Sequence, residues 1–364
     1  MIFQWYLFVL IAFVAIATNW LGSMRMVKSY GKTEYRYTWV PVLIIMIPLI
    51  YLAGTRGDMG FGDTSAYRIS FRNMPATLVE LPNYLTDDMK DRGFAVLSVF
   101  IKSIIGNRDV VYFTIIAAVC LICVICTYKK YSCNFAISIF LFLASGDYIQ
   151  WNYNGIRQFI PVAILFACAG LILRKKYIAL IIIILALSTI HATALLMLPM
   201  IFMLRGKAFN IKTISLVVLV LVAITSLDSF TNLVTTFMEN TQYQGEVNQY
   251  LGTDGTNWLR VLVFAIPTVL ALVFYRKIRE ENNKLIDLCI NMSIVSTAAY
   301  VLSAFTSGIF IGRIPIYFSL YNYILIPWIF ERFFTKRTRK MLYAVLIVCY
   351  LVFYYYQVSV TWNL

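Results

Sequence analysis

Four arginines stand where a polar segment of the chain meets the end of an apolar run: Arg56, Arg157, Arg260 and Arg313. A guanidinium group presents its N–H donors in one plane and can hold two phosphate oxygens at once. Glycines near Arg56 and Arg157 would let a ligand come close to the backbone. The four arginines therefore predict a site for a phosphate or diphosphate group. Arginines at helix ends also extend to membrane headgroups without a further role, and that alternative stays open.

Candidates for proton transfer are few. His191 is the single histidine of the chain and lies in an apolar run. A side chain that titrates near neutrality can exchange a proton there, although packing alone would also explain it. Asp63, in the sequence Gly62-Asp63-Thr64, either caps a turn or serves as an acid, a base or a sugar-binding carboxylate. Asp91 and Asp147 are weaker candidates for the same roles.

Aromatic residues accompany these candidates in the polar segments: Tyr67, Trp151, Tyr243, Tyr250 and Trp258. They could stack on sugar rings, and the aromatic belts of membrane proteins explain them equally well. The sequence contains no Gly-rich phosphate loop, no Cys/His metal cluster and no Ser-centred hydrolase motif. These absences argue against the common nucleotide-dependent and metal-dependent enzymes.

The elements that must position these residues are membrane helices. Of the 364 residues, 61% are hydrophobic and 13% are charged, whereas a soluble domain carries about 25% charged residues. Long apolar runs alternate with short polar joints, as in helices surrounded by lipid. We interpret residues 1–364 as a single all-α integral membrane domain. Its first segment lacks a basic start and a cleavage site, so we expect a permanent span.

The formal net charge of +14 is unevenly distributed along the chain. Six short joints hold 21 of the 31 Lys and Arg: 23–37, 128–132, 174–176, 205–212, 276–285 and 331–340. The positive-inside rule places these joints in the cytoplasm. The remaining segments carry a slight acidic excess, so the basic residues indicate topology and not a nucleic-acid site.

Linking the six joints predicts about twelve spans, with a range of ten to twelve and both termini outside. The predicted outer loops are about 55–109, 147–156, 229–258 and 305–313. Residues 94–105 are apolar but too short to span, so we expect an amphipathic helix at the interface. Residues 177–204 form either one helix or a short hairpin that turns at His191, and the charge pattern favours the hairpin.

The polar motifs follow one another in a characteristic order. They are Arg56, Gly62-Asp63-Thr64, Tyr67, Asp91-Arg92-Gly93-Phe94, Asn154-Gly155-Ile156-Arg157-Gln158, Ile190-His191-Ala192-Thr193-Ala194-Leu195, Arg313 and Tyr317. This series, from about residue 40 to 330, resembles the EpsG-like branch of the Wzy-type polysaccharide polymerases. The family often has Glu-x-Gly where this chain has Asp91-Arg92-Gly93, which leaves a carboxylate role there open.

The resemblance implies a bacterial enzyme of surface-polysaccharide assembly, built as a GT-C-like helical bundle in the cytoplasmic membrane. Such a polymerase transfers a growing glycan from an undecaprenyl-diphosphate carrier onto a lipid-linked repeat unit at the exoplasmic face. It needs no nucleotide sugar, metal or dissociable cofactor. Its implied partners are the undecaprenyl-diphosphate-linked oligosaccharide, membrane lipids and a chain-length regulator protein, and nucleic acid is not among them.

The resemblance also suggests roles for individual residues. His191 or Asp63 would accept the proton of the acceptor hydroxyl, and Arg157 would stabilise the leaving diphosphate. Further residues would bind the diphosphate or the glycan: Arg56, Arg260, Arg313, Tyr67, Asn154, Gln158 and Tyr317.

Two other functions fit the same residues, namely a flippase or exporter of lipid-linked oligosaccharide and a ligase of the O-antigen type. The predicted spans carry almost no charge at mid-membrane depth, which disfavours a transport route through the bundle. A ligase would also bind a diphosphate through outer arginines, so the sequence does not separate it from a polymerase.

Overall fold

The computed structural model describes residues 4–29, 32–57, 62–86, 89–203, 206–238, 244, 249 and 255–362. Most of these residues are helical, and several of the helices are long and apolar, which confirms a polytopic helical membrane protein. In the predicted outer loop 229–258, Tyr243 and Tyr250 lie outside the described residues.

The helices follow one another through short connections. Their bounds are α1 Trp5–Trp20, α2 Trp39–Gly54, α3 Thr64–Asn73, α4 Leu81–Tyr84, α5 Arg92–Ile105, α6 Asp109–Tyr131, α7 Phe135–Ala144, α8 Asp147–Ile149, α9 Ile156–Ala167, α10 Ala169–Leu173, α11 Tyr177–Ser188, α12 Met197–Met203, α13 Ile211–Thr225, α14 Leu227–Met238, α15 Trp258–Val273, α16 Tyr275–Glu281, α17 Lys284–Phe305, α18 Ile316–Ser319, α19 Asn322–Phe333 and α20 Lys336–Tyr356. Short 3-10 segments cover Leu78–Glu80, Ala192–Leu196 and Ile311–Arg313, and π-helical turns cover Gln150–Asn154 and Gln357–Thr361.

A two-stranded β-hairpin adds to the predicted all-α architecture. Strand β1 is Met24–Ser29 and strand β2 is Lys32–Tyr37, and the two are antiparallel. The hairpin occupies the basic joint 23–37. Apolar Met24 and Met26 alternate with Arg25, which is the period of a strand and not of a helix.

Among the described residues, four helices are long and apolar enough to cross a membrane: Asp109–Tyr131, Ile156–Leu173, Lys284–Phe305 and Lys336–Thr361. Two bent helix pairs raise the number of candidate spans to six if each pair crosses once. Further apolar helices are only 10–17 residues long. At a rise of about 1.5 Å per residue, they fall short of a hydrocarbon core of about 30 Å. The number of twelve spans and the GT-C-like bundle therefore stay predictions.

Helix α17 is the most enclosed of the four candidate spans, with 72% of its apolar window buried inside the protein. Asn291, Ser293 and Ser296 on this helix are fully buried. Small and polar side chains of this kind let membrane helices approach closely and hydrogen-bond to one another. The hydroxyl of Thr268 lies 2.8 Å from that of Ser293, which ties α15 to α17.

The segment 55–109, predicted as the first outer loop, is folded onto α6 in its described part. Lys102 of α5 donates hydrogen bonds of 2.6–2.8 Å to three carbonyls at the end of α3 and so caps that helix. Asp109, at the start of α6, pairs with Arg72 at 2.5 Å and with Arg68 at 3.4 Å. The helix predicted over 94–105 is confirmed as α5, and its place at the membrane interface stays a prediction.

The chain between α11 and α12 breaks at residues 189–191. Helix α11 ends at Ser188, and the 3-10 segment Ala192–Leu196 follows His191. The backbone of His191 is extended, with φ −156° and ψ 117°. One continuous helix over 177–204 is therefore excluded. The break coincides with the turn predicted at His191, and its side of the membrane stays a prediction.

Candidate active site

The break before His191 receives the start of α5. The amide of Gly93 donates a hydrogen bond of 2.8 Å to the carbonyl of Thr189. A Cβ atom at position 93 would lie 2.4 Å from Thr189 Oγ1 and 2.6 Å from the Thr189 carbonyl carbon, so only glycine fits. This close approach brings Asp91, two residues before Gly93, onto His191.

Asp91 and His191 form the central pair of the site. Asp91 Oδ2 lies 2.9 Å from His191 Nδ1. The side chain of Asp91 is 3% exposed, and that of His191 is 14% exposed. An ionised carboxylate only accepts hydrogen bonds, so a neutral imidazole donates from Nδ1 and keeps Nε2 as its basic nitrogen.

Arg157 joins this pair from the first turn of α9. Its Nη1 lies 3.4 Å from Asp91 Oδ2, and its Nε donates to the hydroxyl of Tyr67 at 3.4 Å. The guanidinium carbon lies 5.6 Å from the centroid of the Tyr67 ring. The side chain is 37% exposed, so Arg157 is oriented by two partners and still accessible to a ligand.

The electrostatic environment keeps Asp91 ionised. Burial alone would raise the pKa of Asp91, because the carboxylate loses water. The hydrogen bond and charge of His191, the charge of Arg157 and the amide of Ala192 outweigh burial and hold the pKa below its ordinary value. At neutral pH the carboxylate therefore orients the imidazole and would stabilise a positive charge on it.

The π-helical turn Gln150–Asn154 holds the start of α9 in place. Arg56 is buried and donates to the carbonyl of Asn152 and, at 3.0 Å, to a carbonyl near the end of α2. Its guanidinium carbon lies 4.0 Å from the centroid of the Phe113 ring. Burial lowers the pKa of Arg56 to about 10, so the group stays charged at neutral pH. Arg56, predicted to bind diphosphate, is enclosed by protein and ties α2 to the turn before Arg157.

The Gly62-Asp63-Thr64 motif packs against the same turn. Gly62 has a φ of +73°, and a Cβ atom there would lie 2.6 Å from Asn154 Cβ. Thr64 Oγ1 donates to the carbonyl of Tyr153 at 2.9 Å. The side chain of Asp63 is exposed and forms no hydrogen bond to the start of α3. Of the predicted acid or base candidates, Asp91 is the carboxylate that the structure places in contact with the histidine.

The next residue of α9, Gln158, contacts the segment around Arg313. Gln158 Nε2 donates to the carbonyl of Arg313 at 2.9 Å. The hydroxyls of Thr193 and Tyr317 lie 3.0 Å apart, and Thr193 follows His191 by two residues. The structure thus connects the predicted residues around Arg157 and His191 with those around Arg313.

A cavity of about 220 Å³ adjoins this region, and Asn154, Arg260 and Arg313 are among the residues that line it. Arg260 is engaged in an ion pair, because its Nη2 lies 3.3 Å from Oδ1 of Asp147. Asp147 is fully buried and also accepts a hydrogen bond of 2.6 Å from Tyr323. Arg260 therefore helps to hold the bundle together as well as lining the cavity.

The chain was compared with models of known protein families. The model of the EpsG family matches residues 39–363, which is nearly the whole chain. The chain belongs to the EpsG family. No curated protein and no solved structure gives a significant match to it.

Membership identifies this EpsG-family protein, at a general level, as a polysaccharide polymerase of the glycosyltransferase type in a bacterial membrane. Such a polymerase acts on lipid-linked oligosaccharide. No group of three His, Cys, Asp or Glu side chains that could hold a metal ion occurs in the part of the chain that the structure describes.

The contact between Asp91 and His191 was not predicted. In the sequence of this EpsG-family protein, Asp91 and Asp63 look alike, since each stands beside a polar turn before a helix. The available signal was Gly93, because a glycine inside the first turn of a helix is unfavourable unless another backbone approaches it closely.

Proposed function

We propose that this EpsG-family protein polymerises a surface polysaccharide by transferring a glycan from an undecaprenyl-diphosphate carrier onto a lipid-linked repeat unit. The observation that carries the proposal is the cluster of Asp91, His191 and Arg157, in which a base and a partly exposed guanidinium lie within 3.4 Å of one carboxylate oxygen. Glycosyl transfer from a diphosphate needs both functions, a base for the acceptor and a cation for the leaving group.

In the proposed reaction, an acceptor hydroxyl attacks the anomeric carbon of the carrier-linked sugar. The new C–O bond forms as the bond from the anomeric carbon to the diphosphate oxygen breaks, and that oxygen keeps the electron pair. His191 Nε2 takes the hydroxyl proton, and Asp91 stabilises the imidazolium that results. The proton then passes to solvent or to the diphosphate, which restores the neutral base.

Arg157 stabilises the leaving group in this scheme. Negative charge grows on the diphosphate as the bond breaks, and a guanidinium already held by Asp91 and Tyr67 meets it without reorganising. Arg313 is a second candidate for the anionic part of the substrate. Because Arg56 is buried against Phe113, its role in this proposal is to position the turn before Arg157.

The proposed location is the exoplasmic side of the bacterial cytoplasmic membrane. Asp91, Arg157 and His191 all come from segments that the charge pattern assigns to that side, opposite the joints that hold 21 of the 31 basic residues. A carrier-linked glycan can reach this face from the outer leaflet, with its lipid still in the membrane.

The experiment that tests the proposal is deletion of the gene followed by complementation with the wild type and with His191→Asn. Surface glycan is resolved on a gel beside a blot of the protein. If the protein is the polymerase, the deletion strain makes single-repeat glycan. Only complementation with the wild type then restores long chains. Unattached long polymer would identify a ligase instead, and internal accumulation of lipid-linked repeats would identify a flippase.

A further inference from the structure

The cavity beside Arg313 has the size and lining of a small polar binding pocket. Its volume is about 220 Å³. Pockets for drug-sized ligands are larger, about 300–1,000 Å³, so this cavity has room for a smaller group such as one sugar ring. Its walls combine two indoles, Trp151 and Trp362, with the amides of Asn154, Asn257 and Gln357. Aromatic faces and planar amides together suit the apolar faces and hydroxyls of a sugar.

The amide of Gln357 in the wall has a buried donor without a partner among the described residues. Gln357 is 1% exposed, and its Nε2 has no hydrogen-bond partner among the described residues. Its Oε1 accepts a hydrogen bond of 3.1 Å from Arg260, which fixes the orientation of the amide. A buried N–H without an acceptor is unfavourable, because the group has lost its hydrogen bond to water. A ligand hydroxyl in the cavity would satisfy it.

The cavity carries one uncompensated positive charge. Arg260 is neutralised by Asp147 at 3.3 Å. The guanidinium of Arg313 has no ion-pair partner in the part of the chain that the structure describes. An anionic oxygen group on the ligand would therefore meet a planar cation that is already desolvated in part.

The walls are held in place by close backbone contacts. Gly312 lies so near Thr256 that a Cβ atom there would be 2.7 Å from the Thr256 hydroxyl. The amide of Thr256 donates to the carbonyl of Ser303 at 3.1 Å. Gly146 has a φ of +82° and packs directly against the ring of Trp362. A pocket with fixed walls binds a ligand without first ordering its side chains.

The cavity also borders the proposed reaction centre. Gln158 donates to the carbonyl of Arg313, and the preceding residue, Arg157, contacts Asp91. We propose that this cavity binds a single sugar ring of the lipid-linked glycan, with Arg313 holding an anionic group of that substrate. The proposal rests on the proposed polymerase function. The anionic group belongs either to a substituent of the sugar or to the carrier diphosphate.

The test uses the purified full chain in lipid nanodiscs with two probes. One probe is oligosaccharide released from the native polymer, which carries neither lipid nor diphosphate. The other is the lipid-linked repeat unit, used as substrate for chain extension. Gln357→Glu keeps the acceptor for Arg260 and removes the donor, and Trp362→Leu removes one indole. The matched control for Arg313→Gln is Arg337→Gln, at an exposed arginine. Every variant must also match the wild type in protein level and melting temperature.

We expect Gln357→Glu and Trp362→Leu to weaken oligosaccharide binding about tenfold or more and to raise KM for the lipid-linked repeat with little change in kcat. Loss of oligosaccharide binding in Arg313→Gln assigns the anionic group to the sugar. If Arg313→Gln binds the oligosaccharide normally but has a raised KM for the lipid-linked repeat, the anionic group belongs to the diphosphate. If Gln357→Glu and Trp362→Leu both bind the oligosaccharide and the lipid-linked repeat like the wild type, the sugar pocket is contradicted. If Arg313→Gln changes neither oligosaccharide binding nor KM, the role of Arg313 is contradicted.

The same measurements distinguish the sugar pocket from the polymerase activity. Wild-type protein that binds the oligosaccharide but extends no chain would contradict polymerisation and leave the pocket standing. Wild-type protein that extends chains, with cavity variants that do so equally well, would contradict the pocket alone.

Discussion

Asp91 Oδ2 and His191 Nδ1 lie 2.9 Å apart although 100 residues separate them in the chain. The contact depends on Gly93, whose backbone meets the broken helix at Thr189. A buried carboxylate that is also paired with Arg157 gives the single histidine a fixed orientation and a counter-charge. A buried carboxylate that holds both a histidine and a partly exposed guanidinium is typical of functional sites, so the arrangement favours chemistry here.

Asp91→Asn should remove most of the activity and leave the protein in the membrane. The amide cannot supply the negative charge that stabilises an imidazolium, and loss of a general-base function typically costs about 10²–10⁴ in rate. The measurement is the rate of chain extension at equal protein level. Asp63→Asn is the matched control, because Asp63 is an exposed carboxylate in the same polar segment between α2 and α6. Equal loss in both variants would contradict the assignment of Asp91.

Gly93→Ala should disturb the site through the backbone. The added Cβ would meet Thr189 at 2.4–2.6 Å, so α5 must shift away and carry Asp91 with it. We expect a severe loss of chain extension and a smaller loss of thermal stability. Gly57→Ala is the control, since no atom of the described residues lies within 4 Å of a Cβ at that position. Normal activity in Gly93→Ala would show that the contact is not needed.

Arg157→Lys should insert normally yet leave mostly single-repeat glycan on the carrier. A lysine can reach headgroups equally well but has no planar fork for the diphosphate. Loss of one such donor costs about 3 kcal/mol, or about a hundredfold in rate. A glycan ladder beside a membrane blot measures both effects, with Arg337→Lys as the control. Long chains at normal protein level would remove Arg157 from the reaction.

The predicted topology can be tested with single cysteines in a cysteine-free background. Ser70 and Arg337 are both exposed, and the charge pattern assigns them to opposite sides of the membrane. A membrane-impermeant thiol reagent added to intact cells should label a cysteine at 70 and spare one at 337. The reverse pattern would invert the topology and place the cluster of Asp91, His191 and Arg157 in the cytoplasm.

Some of this site could be predicted from the sequence, for reasons that are local. The break at His191 follows from the length of an apolar run between two basic joints, and the helix at 94–105 follows from its apolar pattern. Gly155 and the apolar run after Arg157 predict a helix start there, and the structure confirms it, since α9 begins at Ile156.

The rest depends on long-range packing. An arginine beside a glycine looks the same whether it faces a ligand or Phe113, so the burial of Arg56 was not predicted. Nothing local shows which carboxylate of the segment between α2 and α6 folds onto a histidine 100 residues away. The number of spans also cannot be read from helix length, because several apolar helices, such as Phe135–Ala144, are too short to cross a membrane alone.

The central claim is that His191 acts as the base in glycosyl transfer from a lipid diphosphate. The most direct measurement incubates purified protein in nanodiscs with the undecaprenyl-diphosphate-linked repeat unit and follows both chain length and release of undecaprenyl diphosphate. We predict that the wild type forms longer chains and releases one carrier diphosphate per bond made, and that His191→Asn binds the substrate but does neither. Equal rates for His191→Asn and the wild type, or chain growth without carrier release, would contradict this account.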